Sequence, residues 1–234
     1  MPTQTQLSRS SSRAVTNPDG GESARERILS TAYELFKRRG IRAVGTDEVI
    51  ARACVAKATL YRHFPTKDHL VLAVLERREQ LWTYGLIEAQ SRRRGTTPEE
   101  QLLAIFDVLD EWFHDVGGYE GCSFINVLLE MGIDHPAGQA SIAHIDRVRD
   151  IVLHRALAAG LTDVEEFASS WQILMKGAIV LAAVGDLDSA SRAQKMGRAL
   201  IEMHRPGPHR DTPGNPQVTA HDYRPGTGSV SGIL

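Results

Sequence analysis

From Lys57 to Phe64 the chain reads Lys-Ala-Thr-Leu-Tyr-Arg-His-Phe. Wound as a helix, Leu60 and Phe64 lie four positions apart and share one edge. Lys57, Ala58, Thr59, Tyr61, Arg62 and His63 are then left for the outer edge. That edge carries two cations, two hydroxyls and an imidazole. Such groups bond phosphate oxygens, and some of them can also read the donors and acceptors on base edges. The chemistry is recognition of a polyanion rather than bond breaking. The patterns H-E-x-x-H, G-x-S-x-G, Walker A and G-x-G-x-x-G are all absent. The nine histidines are scattered, with no pair at metal-ligand spacing beside a carboxylate. No nucleophile and base can be nominated together, so no enzyme, metal or cofactor is expected.

An outward-facing helix of this kind needs a mount. Two short helices, Thr46–Ala53 and Lys57–Phe64, form a helix-turn-helix pattern. The second is short enough to place its N-terminal end in a major groove about 12 Å wide. The first of the pair is expected to be capped by the Thr46 hydroxyl, with Val49, Ile50 and Ala53 inward. Ahead of them a helix is predicted from about Ser23 to Arg39. Ser23 and Glu26 suit a capping box, Ile28, Leu29, Ala32, Leu35 and Phe36 make one buried face, and Gly40 ends it. After Pro65, Thr66 can cap a long fourth helix through Leu70, Val71, Val74 and Leu75 to about Arg92. Further helices are expected near 98–116, 121–131, 136–159, 164–184 and 187–204. No segment alternates with period two. The fold class is all-α, with about nine helices in two units: 22–68 carries the helix-turn-helix and 69–204 the rest. Residues 1–21 and 205–234 are poor in large apolar residues, or rich in proline, and are expected to be disordered tails.

Composition sets the outer bounds. The 234 residues are 42% hydrophobic and 24% charged, with a net charge of -2. Residues 22–80 hold twelve Lys or Arg against eight Asp or Glu, so the basic excess sits with the helix-turn-helix. Arg9 and Arg13 in the N-terminal tail would add non-specific attraction to a polyanion. The longest apolar run, Gly177 to Gly185, is too short to span a bilayer. The N-terminus lacks a signal-like apolar core, and a cytoplasmic location is expected. Two cysteines, Cys54 and Cys122, lack Cys-x-x-Cys spacing and read as small buried apolar residues.

The run from Ala24 to Leu75 resembles the DNA-binding domain of TetR/AcrR-family transcriptional regulators. The resemblance is carried by Ile28–Leu29, Ala32, Leu35–Phe36, Gly40, Thr46, Ile50–Ala51, Val55, Thr59–Leu60–Tyr61, His63–Phe64 and Lys67–Leu70. It is closest in the string Leu60-Tyr61-Arg62-His63-Phe64-Pro65-Thr66-Lys67. Ala58 stands where a glycine is often seen, a change that a helix tolerates. The resemblance implies that double-stranded DNA is the partner. It implies that Thr46, Tyr61, His63 and Lys67 meet backbone phosphates and that Lys57, Ala58, Thr59 and Arg62 lie nearest base edges.

The resemblance further implies a C-terminal domain that binds a small effector and forms a homodimer through about 163–204. Gly177, Ala178, Ala182 and Ala183, set among Ile173, Leu174, Ile179, Val180 and Leu181, suit close helix approach there. A ligand pocket is expected from Trp82, Leu86, Leu109, Trp112, Phe113, Phe124, Asn126, Leu128, Met131, Trp171 and Met175. His114, Glu130 and His144 are further polar groups that could orient a ligand. The family default is a repressor released from a pseudo-palindromic operator by ligand. A thiol-based redox sensor using Cys122, at a helix start, or Cys54, in the motif's turn, is the alternative.

Overall fold

The computed structural model describes residues 22–115, 119 and 121–207. The expected tails lie outside these, together with Arg9 and Arg13, except for residues 205–207; Arg205 pairs with Glu99 at 2.6 Å. The regular elements among the described residues are all helical, in the order α1 Ala24–Arg39, α2 Thr46–Arg52, α3 Lys57–His63 and α4 Lys67–Glu79. A π-helical stretch, Gln80–Glu88, and α5 Ala89–Arg94 continue α4 as one rod. Then come α6 Pro98–Phe113, α7 Ser123–Met131, α8 Pro136–Ala158, α9 Val164–Ala183 and α10 Ser189–Met203. Counted with the rod as one, these are nine helices among the described residues.

Local chemistry explains most boundaries. Ser23 accepts the Glu26 N–H at the start of α1. The carboxylate of Glu26 turns to Arg77 at 3.0 Å. Thr66 caps α4 by accepting the His69 N–H. At α6, Thr97 and Glu100 form a full capping box ahead of Pro98. One expectation fails at α2. Its N-cap is Gly45, and Thr46 is the first helical residue. Gly45 has the extended backbone an N-cap needs, so the Thr46 hydroxyl is free for another partner.

One buried cluster runs through both units along the rod. In the N-terminal unit, α1 packs on α2, α3 and α4, burying Ile28, Leu29, Ala32, Val49, Leu60 and Phe64. In the C-terminal unit, α6, α8, α9 and α10 enclose Phe106, Leu109, Phe167, Trp171 and Met175. Gly197 of α10 lets that helix close on the aromatic layer: a Cβ there would stand 3.0 Å from Trp171 and 3.1 Å from Phe106. Buried Arg155 of α8 ties the rod to α6, donating to Ser91 Oγ and to the carbonyls of Gln101 and Glu88.

The π-helical stretch has a visible consequence. Its i→i+5 winding accommodates an extra residue, and both Trp82 and its neighbour Thr83 are buried, along with Ile87. Thr83 then meets His144 of α8 at 3.0 Å.

Candidate nucleic-acid interface and the cleft above it

The outer edge of α3 is built as its sequence implies. Leu60 and Phe64 are buried against α1, and Arg25 lies 5.6 Å over the Phe64 ring. Lys57, Ala58, Tyr61, Arg62 and His63 are exposed, while Thr59 is half-buried. The Thr46 hydroxyl released by the Gly45 cap lies 3.2 Å from Tyr61 Oη. That contact joins α2 to α3 and holds both hydroxyls on one side. Lys57 pairs loosely with Asp47 at 3.4 Å, both side chains being well exposed. Such a pair contributes little by itself and releases readily to a phosphate. The string thus brings together seven of the eight predicted contacts on α2 and α3.

Lys67 is the exception. It is half-buried, and its ammonium donates to the Ile41 carbonyl at 2.6 Å. Its first role is to hold the loop between α1 and α2. The same loop is gripped from the C-terminal unit: Glu130, in the last turn of α7, accepts the N–H groups of Ile41 at 2.9 Å and Arg42 at 2.6 Å. Gly40 makes this possible. Its φ is +79°, and a Cβ would stand 3.0 Å from the Glu130 carboxylate. Sequence reasoning placed Glu130 among ligand-facing groups. No local pattern could reveal a partner 88 residues away.

The turn between α2 and α3 holds Cys54. It is exposed, with φ at +51°, so the expectation of a buried apolar residue fails there. The turn requires a left-handed residue, and the thiol projects out of it. Cys122 is buried and is the N-cap of α7.

The predicted ligand-lining residues divide. Trp82, Leu86 and Trp112 border a cleft of about 400 Å³, together with Arg78, Leu81, Val108, Glu111 and Asp115. Asn126 borders a smaller cleft of about 120 Å³ between α1, α4 and α7, with Tyr33, Lys37, Arg78 and Glu130. Leu109, Phe113, Phe124, Trp171 and Met175 are packed in the core, and Leu128 and Met131 border neither cleft. His114 is exposed and bonds the Asp110 carbonyl. Arg78 borders both clefts and stands over two rings, Tyr33 of α1 at 5.3 Å and Trp112 of α6 at 5.9 Å. It therefore links the larger cleft to the helix-turn-helix unit.

Behind Trp82 lies His144, ring to ring at 5.7 Å, with Phe124 stacked on the imidazole. Burial, aided by the charges of Lys176, Arg147 and Arg78, holds the His144 pKa down to about 3. The imidazole is neutral at physiological pH.

The face of α9 turned away from the core is apolar. Ile173 is 72% exposed, Val180 54% and Val184 77%. With exposed Gly177 and Leu181 they follow helical spacing along one stripe. Met196 and Met203 of α10 are exposed as well. No helix among the described residues is long and apolar enough to cross a membrane.

The profile of the tetR family of bacterial regulatory proteins matches residues 28–74. The transcriptional activator FasR of Mycolicibacterium smegmatis is 34% identical over 154 residues, covering 60% of this chain and 68% of FasR. A transcriptional repressor of Mycobacterium tuberculosis is 42% identical over 59 residues, 25% of this chain and 31% of its own length. The crystal structure of a TetR-family transcriptional regulator from Streptomyces coelicolor superposes with a TM-score of 0.71 at 28% identity, covering 77% of this chain and 95% of that one.

Proposed function

The chain belongs to the TetR family of bacterial regulatory proteins and is a DNA-binding regulator of transcription; on that premise we propose that it is a homodimeric repressor that leaves a pseudo-palindromic operator when a small, largely apolar effector binds. Residues 22–68 read the DNA, and 69–204 bind the effector and the second subunit in the cytoplasm. The observation that carries the DNA assignment is the α3 edge: Leu60 and Phe64 are inside, and Lys57, Tyr61, Arg62 and His63 are outside. Lys57, Ala58, Thr59 and Arg62 face base edges; Thr46, Tyr61, His63 and Lys67 position the unit on phosphates. Support for a dimer through 163–204 comes from the exposed apolar stripe of α9, which a two-fold partner would cover. Two copies of α3 about 34 Å apart would meet successive major grooves.

The effector cleft is the one bordered by Trp82, Leu86 and Trp112. Its size is within the range of small-molecule sites. Displacing Trp112 or Arg78 there acts on Tyr33 of α1 through the shared guanidinium. Release follows if the effector prefers the state whose α3 helices are wrongly spaced.

Selection of bound duplexes from a random pool tests the reading and should return a two-fold symmetric site. Tyr61→Phe or Lys67→Ala should weaken binding to all duplexes, whereas changes at Lys57, Thr59 or Arg62 should alter base preference. If Arg62→Ala alters neither affinity nor preference, its assignment to base edges is wrong. On a promoter carrying the selected site, transcription in vitro should fall when the protein is added. A rise would make it an activator, as FasR is named.

Thiol sensing is the second reading, and exposed Cys54 in the motif's turn favours it over buried Cys122. Alkylating Cys54 would then abolish DNA binding. Full affinity of the labelled protein would remove that reading.

A further inference from the structure

Among the described residues, four buried donors of the C-terminal unit have no hydrogen-bond partner: Trp82 Nε1, His144 Nε2, Trp171 Nε1 and Lys176 Nζ. His144 links three of them. Trp82 packs on His144 at 5.7 Å, and the Lys176 charge reaches His144. His144 itself is wholly buried. Its Nδ1 is 3.0 Å from the Thr83 hydroxyl; when that hydroxyl donates, the ring proton sits on Nε2 and points away from Thr83. A buried ammonium without a partner is costly, and buried charges are as a rule paired. The Glu79 carboxylate stands 3.7 Å from His144 Nδ1, on the Thr83 side of the ring, and is already engaged by Arg147. The fields of Lys176, Arg147 and Arg78 all reinforce one another at His144. The spot is buried, feels three cations against one carboxylate, and holds idle donors.

Its surroundings are aromatic. Trp112 meets Trp82 at 5.4 Å and Tyr119 at 4.7 Å, both edge-to-face, and Phe124 stacks on His144. The cleft of about 400 Å³ is bordered by Trp82 and Trp112, and Trp82 is the ring that packs on His144. Of the two carboxylates at the cleft, Glu111 is committed to Arg94 at 2.6 Å and Asp115 is exposed. The π-helical stretch that brings Trp82 and Thr83 inward together is a form that recurs at functional sites.

We infer that the effector is an aromatic carboxylate, with its ring in the cleft against Trp82 and Trp112 and its anionic group turned inward onto Lys176 and His144. The inference rests on the effector-binding reading above and specifies its ligand. The carboxylate supplies the missing counter-charge and accepts from the idle donors. The rings offer edges and faces to an aromatic body.

The test uses the full-length protein and three probes of one shape: naphthoate, neutral naphthamide and naphthylmethylammonium. Binding is followed by calorimetry. Naphthoate should bind roughly tenfold or more tighter than naphthamide, as a charge-assisted contact requires, and the ammonium should bind weakest. In Lys176→Met, naphthoate should fall to the level of naphthamide, with naphthamide unchanged. The ligand-free variant should melt at a higher temperature than the parent, because an unpaired buried charge is gone. Equal binding of the three probes, binding of none, or a carboxylate preference that survives Lys176→Met overturns the inference. The titrations contain no DNA, so they separate this inference from the release reading. Lys176-dependent naphthoate binding that leaves the protein on its selected duplex upholds the inference and removes ligand-driven release. Release by naphthamide as readily as by naphthoate does the reverse.

Discussion

Glu130→Ala should loosen the joint between the two units while sparing the apolar core. The Glu130 carboxylate accepts two backbone N–H groups, from Ile41 at 2.9 Å and Arg42 at 2.6 Å. A hydrogen bond to a charged group contributes roughly 1.5–3 kcal/mol. The two losses are unequal. Arg42 is exposed, and water can replace its acceptor, whereas Ile41 is buried and its N–H loses more. Truncation should therefore cost about 2–3 kcal/mol, which for a chain of this size lowers the melting temperature by roughly 5–10 °C. Urea denaturation followed by circular dichroism measures it. Glu130→Gln keeps one acceptor oxygen and should lose about half as much. The functional consequence is in coupling: the alanine variant should still bind the selected duplex but release it less completely with effector, because α7 no longer holds the 40–42 loop. A loss below about 0.5 kcal/mol, the range of neutral surface changes, would refute the latch. So would a glutamine variant as stable as the parent.

Three further outcomes follow from single positions. Gly197→Ala should destabilise by about 1–2 kcal/mol despite alanine's better helix propensity, because the new methyl would press on the buried Trp171 and Phe106 rings at 3.0–3.1 Å; thermal melts of the pair check it. His144 is held to about 3 in the fold against about 6.5 unfolded, so the unfolded chain takes up the proton first as pH falls. Stability should then drop by about 1.4 kcal/mol per pH unit between roughly pH 6.5 and 3, and His144→Gln should flatten that slope by one proton in pH-dependent urea titrations. Cys54→Gly should stabilise by about 0.5–1 kcal/mol, since glycine adopts φ +51° without the Cβ clash; an unchanged denaturation midpoint would mean the turn is unstrained.

Which features were legible in the sequence follows from the range of the interactions behind them. Helix faces repeat every three or four residues, so Ile28, Leu29, Ala32, Leu35 and Phe36 announce their burial locally. Thr66 and Pro98 mark helix starts for the same local reason. At α2 two adjacent residues could both begin a helix, and the choice fell to Gly45 because Thr46 gains a partner in Tyr61 that lies 15 residues away. The π-helical stretch left no mark, since Trp82 beside Thr83 looks like an ordinary boundary between an apolar and a polar face. The same limit hid the two groups on which regulation is proposed to turn. Lys176 interrupts an apolar run, and only the fold decides whether such a lysine snorkels to water or is trapped. Glu130 resembles any exposed helical carboxylate until the α1–α2 loop is brought to it. Recognition of DNA is local chemistry on one short helix, so it can be read from eight consecutive residues. Regulation couples elements far apart in the chain, and its residues acquire meaning only once packing has set them side by side.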